Sequence, residues 1–155
     1  EVSTILHDEI SEGDMINLSA PVGGFSIENT ERPQLFIGSG VGMTPLVSMF
    51  KKAASLNVPT QMIQAVVTED ERPFAQKLDS ITANHEQAQL HLHVKDKEGY
   101  LEAKELEQYL SEQPEIYICG GTNFLHSIIN SLKELNYDMN HVHFETFIPR
   151  LSVQV

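Results

Sequence analysis

From Gln34 to Phe147, short apolar runs alternate with segments whose apolar residues recur at helical spacing. No other feature constrains the fold as much. Strands separated by helical crossovers run parallel, and a parallel sheet has to be covered on both faces. The strand-like runs are Gln34–Gly38, Gln61–Thr68, Ala88–Lys95, Glu115–Cys119 and His141–Phe147. Between them, Leu46, Val47, Met49, Phe50, Ala53, Ala54 and Leu56 mark one helix, and Phe74 to His85 marks a second. Glu102 to Leu110 and Phe124 to Leu135 read as two more. The pattern predicts an α/β domain: a doubly wound, parallel, five-stranded sheet in the order 3-2-1-4-5 with helices on both faces.

The first thirty residues stand outside this pattern. Val2 to Ile10 has helical spacing, Met15 to Ala20 alternates as a strand, and Pro21 to Phe25 is rich in turn formers. Glu28 to Pro33 is polar and ends in proline, as a linker does. One helix and one strand cannot make a core. Residues 1–30 are therefore expected to be the tail of a preceding domain, and 31–155 the α/β domain. The opening Glu1-Val2-Ser3, without Met, fits a piece of a longer or processed chain.

Composition narrows the partners. A formal charge of −12 with three arginines, Arg32, Arg72 and Arg150, disfavours nucleic acid and anionic membrane surfaces. No apolar run approaches the roughly 20 residues that span a bilayer, and no basic-then-apolar leader occurs. The single cysteine, Cys119, excludes an internal disulfide and fits a reducing compartment, by default the cytoplasm.

The strongest local signal is Gly38-Ser39-Gly40-Val41-Gly42-Met43-Thr44-Pro45, which follows a strand and opens a helix. In that context glycines let the backbone approach a pyrophosphate, and the helix N-terminus offers free N–H groups. The plainer alternative is a tight turn without a ligand. Thr44 is expected to cap the helix, with Pro45 at its first position. A Cβ at Gly42 is expected to crowd the phosphates or strain the turn. The third glycine of the usual G-x-G-x-x-G is absent, because residues 43 and 45 are Met and Pro.

Glu69, followed by Asp70 and Glu71, closes the second strand and could read an adenosine ribose while repelling a 2′-phosphate, which favours NADH over NADPH. Arg72 could instead pair with that phosphate, and a solvated turn is the third reading. Cys119-Gly120-Gly121 ends the fourth strand and opens another helix. Cys119 would stand beside a nicotinamide at the strand-order reversal, or be a small buried hydrophobe. His91 with His93, and His141 with His143, have same-face spacing, but they fall on opposite sheet edges, so no metal site is expected.

Four motifs in order resemble the ferredoxin–NAD(P) reductase superfamily, and within it the reductase part of flavohaemoglobins. They are Val2-Ser3-x-x-Leu6-His7 with Gly13-Asp14 and Pro21-x-Gly23-x-Phe25, then Gly40-Val41-Gly42-x-Thr44-Pro45. Cys119-Gly120 and the closing His143-Phe144-Glu145-Thr146-Phe147-Ile148-Pro149 complete the set. The resemblance implies hydride transfer from NADH to FAD, held by a β-barrel flavin domain of which 1–30 would be a remnant. Electrons would pass on to a haem in a globin domain of the same polypeptide, for nitric oxide dioxygenation. It further implies that Gly38, Gly40 to Pro45, Glu69 and Cys119 to Gly121 hold NAD, and that Val2, Ser3, Thr146, Phe147, Ile148 and Pro149 hold FAD. Cys119 and Glu145 would be the catalytic pair.

Three departures stand beside the likeness. The family's Arg-x-Tyr-Ser flavin motif does not occur, Ile148 replaces a glycine, and Cys-Gly-Gly replaces the commoner Cys-Gly-Pro. A reductase feeding a ferredoxin or an oxygenase, and a nucleotide-sensing module without flavin chemistry, are the alternatives.

Overall fold

The computed structural model describes residues 2–20 and 22–146. Its centre is a parallel sheet of β1 (Gln34–Ser39), β2 (Thr60–Val66), β3 (Ala88–Val94), β4 (Glu115–Gly120) and β5 (Val142–Thr146). The order is β3-β2-β1-β4-β5, as the alternation predicts. Gly38 pairs with Gln64 on one side and Cys119 on the other, so β1 and β4 meet where the strand order reverses.

Side-chain alternation along β1 and β4 divides the core in two. Phe36, Tyr117 and Cys119 face one way and join α2 (Met43–Ser55) and α3 (Ala75–Asn84). Leu35, Ile37, Ile116 and Ile118 face the other way, toward α5 (Ala103–Leu106) and α6 (Thr122–Glu134). Helices thus cover both faces. Phe50 and Leu46 of α2 are fully buried, and burial of side chains of this size contributes about 1.5–3 kcal/mol each.

The two long helices end alike. Asn57 and Asn136 adopt left-handed φ of 57° and 55°. Asn57 and Val58 donate back to Ala54 and Ala53, and Asn136 and Tyr137 donate to Lys133 and Leu132. These are paired 5→2 and 6→1 bonds that satisfy the last carbonyls.

Three sequence expectations are modified. The Glu102–Leu110 helix is only α5, one turn with a Glu102/Glu105 capping box, followed by a 3-10 turn at Glu107–Tyr109. Both anchors, Leu106 and Leu110, still reach the core, and tightening is the usual way a short helix satisfies its last carbonyls. Lys95 leaves β3 and starts a further short helix, α4 (Lys95–Glu98). The expected helix near the start is present as α1 (Val2–Asp8), with no buried residue. Met15–Ala20 is not a strand, since none of the described residues pairs with it. A strand exists only through its ladder.

Contact with the sheet begins before residue 30. Phe25 and Ile27 pack on the α2-side core, and the Glu28 N–H donates to the Tyr117 hydroxyl at 3.0 Å. The histidine pairs lie on β3 and beside or within β5, at opposite edges. His141 and His143 are both hydrogen-bonded to the buried Glu115, at 3.1 and 2.8 Å. Among the described residues, no helix is long and apolar enough to cross a membrane.

Candidate dinucleotide site

At the carboxyl end of β1 the chain tightens into a 3-10 turn, Gly40–Gly42, and α2 begins at Met43. Gly40 has φ +54°, a left-handed conformation that costs glycine little, and a Cβ built there would meet nothing within 4 Å. Gly42 is different. A Cβ there would lie 2.2 Å from the Cys119 carbonyl oxygen and 2.5 Å from the Gly120 nitrogen. A side chain at Gly42 has no room because the β1–α2 turn packs against the β4–α6 turn, which is the strained-turn half of the expectation. That contact brings the two motifs together.

Thr44 is not the cap. Gly42 holds that position without a side-chain bond, and Thr44 Oγ1 donates to the Val41 carbonyl at 2.8 Å, bracing the turn from within the helix. Pro45 is the third helical residue, still among the N–H groups that lack an intrahelical acceptor. Gly38 lies beneath α2, where a Cβ would strike the Met43 sulfur and Leu46. Met43 is itself buried, so only its backbone faces the turn. The Phe124 ring packs over Gly120, while Gly121 is exposed with open space around it.

Cys119 is fully buried on the α2 side. Burial first, then the Glu145 charge, pushes its thiol up to about 11, so it is a neutral core group near pH 7 and not a thiolate nucleophile. Glu145 is its register partner on β5 and is exposed. Thr146 follows opposite Gly120. Val2 and Ser3 lie on exposed α1. Phe147, Ile148 and Pro149 fall outside the described residues.

Two cavities flank the strand ends and share Ser39 and Ala65 to Val67. One, about 460 Å³, is lined by Gly40, Val41, Thr44, Glu71 and Phe74 on the α2 side. The other, about 550 Å³, is lined by Lys95, Tyr100, Leu101, Asn123 and Phe124 on the α6 side. Glu69 lies in the turn beyond β2, where Lys97 Nζ donates to its carboxylate at 2.7 Å. Arg72 is held by Asp79 at 3.1 Å and by Gln64 at 3.4 Å. Sequence reasoning missed Phe74 and Tyr100 as lining residues. Tyr100, an aromatic outside any periodic run beside Gly99, was the one with a visible signal; the left-handed φ of 59° at Phe74 had none.

Known proteins resemble this chain in sequence and in fold. The family described as "Oxidoreductase NAD-binding domain" matches residues 36–129, from β1 into α6. The chain belongs to that family. A flavohemoprotein from Bacillus cereus is 29% identical, over 99% of this chain and 42% of that protein. Flavohemoprotein B from Dictyostelium discoideum is 28% identical, over 98% and 39%. The chain thus spans less than half the length of these relatives. The FAD/NAD-binding domain of nitric oxide dioxygenase from Vibrio cholerae superposes with a TM-score of 0.84 at 28% identity, over 96% of this chain and 65% of that one. This NAD-binding domain is homologous to the carboxyl-terminal region of flavohemoproteins.

Proposed function

We propose that this domain delivers hydride from NADH to FAD in a flavin-dependent oxidoreductase, for onward transfer to haem in nitric oxide dioxygenation. The observation that carries the reading is the Gly42 contact. It fixes the N-termini of α2 and α6 side by side at the β1–β4 reversal, between two cavities. Dinucleotides bind at such a reversal in open α/β sheets, with phosphate at a helix N-terminus.

In this reading the backbone of Gly40 to Pro45 holds the pyrophosphate, with Gly38 and Gly42 shaping the turn. The adenosine enters the cavity beside Tyr100 and Phe124, with its ribose toward Glu69. Cys119, Gly120 and Gly121 form the strand end beside the nicotinamide, with the neutral Cys119 thiol in the core behind the two glycines. Glu145 sets the charge beside it. Bound FAD would supply the conversion from a two-electron donor to a one-electron haem acceptor. Val2, Ser3 and Thr146 to Pro149 are the residues assigned to FAD, residues 1–30 are assigned to the flavin domain, and residues 31–155 form the NAD-binding domain. The exposed apolar residues Val2, Met15, Leu18 and Val22 support a body packing there.

The purified chain is expected to be colourless, to bind NADH and to show no NADH-dependent dye reduction, because hydride transfer needs the flavin held against the nicotinamide. Calorimetric titration with NADH and a visible spectrum check this. Absence of NADH binding by the folded chain sinks the proposal. In the full-length protein, kcat/KM is expected to favour NADH over NADPH. An NADPH preference that disappears in Arg72→Ala would assign the 2′-phosphate to Arg72 instead.

A further inference from the structure

The turn after β2 and the short helix α4 meet at one end of the crevice. The Asp96 N–H donates to the Val67 carbonyl at 3.2 Å, and beside this backbone link Lys97 Nζ donates to Glu69 Oε1 at 2.7 Å. Val67 and Lys95, two residues from each partner, line the larger cavity. The hydrogen bond from Lys97, and then its charge, hold the Glu69 carboxyl below its usual range. Other cations nearby are already engaged. Arg72 is bound to Asp79, and Lys95 lies over the Tyr100 ring at 4.4 Å.

We propose that the Glu69–Lys97 ion pair is the determinant of cofactor choice, with Lys97 as the latent reader of a 2′-phosphate and Glu69 the group that keeps it occupied. The inference rests on the dinucleotide reading above. A 2′-phosphate brought to this rim meets Glu69, Asp70 and Glu71, and has to displace a carboxylate to reach the lysine. Lysine is a compact charge on a flexible stem, so once released it can reach a phosphate. The pair is exposed, with Lys97 at 62% and Glu69 at 57%, so breaking it leaves the fold intact.

The test is calorimetric titration of the chain with 5′-AMP and with adenosine 2′,5′-bisphosphate. The variants are Glu69→Gln, Glu69→Gln with Lys97→Met, and Glu69→Gln with Lys77→Met. Lys77 is an exposed lysine of α3, so the two double variants carry equal net charge and differ in which lysine remains. Glu69→Gln is expected to tighten the bisphosphate by about tenfold relative to 5′-AMP. That gain is expected to survive Lys77→Met and to vanish with Lys97→Met. No gain in Glu69→Gln, or a gain that persists without Lys97, overturns the inference. A wild-type chain that binds 5′-AMP and NADH while these ratios fail to move leaves the parent reading standing. A chain that binds neither removes both.

Discussion

Gly42→Val is expected to unfold the domain at a temperature lower by roughly 10 °C, while NADH affinity per folded molecule changes little. The added Cβ would lie 2.2 Å from the Cys119 carbonyl oxygen and 2.3 Å from its carbon. Those are backbone atoms of a central strand, paired on one side with β1 and on the other with β5. They cannot swing aside as a side chain would, so one turn has to part from the other. Overpacking typically costs about 1–3 kcal/mol, with an immovable backbone neighbour at the upper end, and each kcal/mol lowers Tm by about 2–4 °C in a domain of this size. Thermal unfolding followed by circular dichroism, with NADH titration of the folded variant, measures both quantities. A variant of unchanged Tm that loses NADH would show that the Gly42 position faces ligand and not β4.

Gly40→Asp is expected to weaken NADH binding by about 30-fold, an effect of about 2 kcal/mol from like charges brought together. Gly40→Asn should weaken it only a few-fold. Both side chains are among the few that tolerate left-handed φ, and at +54° both would point into open space. They match in shape and differ in charge, so the ratio of their dissociation constants isolates the anion at this turn. Equal affinities for the two variants would mean that no phosphate lies against Gly40. The contrast with Gly42 is instructive: neighbouring glycines of one motif are expected to fail in different assays, one in stability and the other in binding.

Much of the architecture was legible because periodicity reports burial directly. Phe36 and Ile37 lie on opposite faces of β1 and both are buried, so the run had to be a strand covered on two sides. Leu125, Ile128 and Leu132 recur at helical spacing, and α6 buries them. The location of the candidate site followed from the same reading, since glycine-rich turns after the first and fourth strands of such a sheet converge. Assigning work to individual residues was harder. Thr44 fits a helix cap by type and spacing, yet the helix starts two residues earlier than that cap requires and its hydroxyl turns back to Val41. Glu69 reads as a free ribose ligand in the sequence, and Lys97, 28 residues along the chain, was an unremarkable surface lysine until β2 and β3 paired.

The amino-acid sequence by itself determined the alternation of strands and helices and the glycine-rich turns that follow the first and fourth strands. All of these depend on residues close together in the chain, through hydrophobic period, helix termini and glycine placement. Only the tertiary structure decided why Gly42 must be glycine, that Cys119 is a protonated core residue, and that Glu69 is held by Lys97. Each of those depends on an atom brought into contact by strand pairing or crossover packing. No local pattern in a single sequence encodes the distance between them.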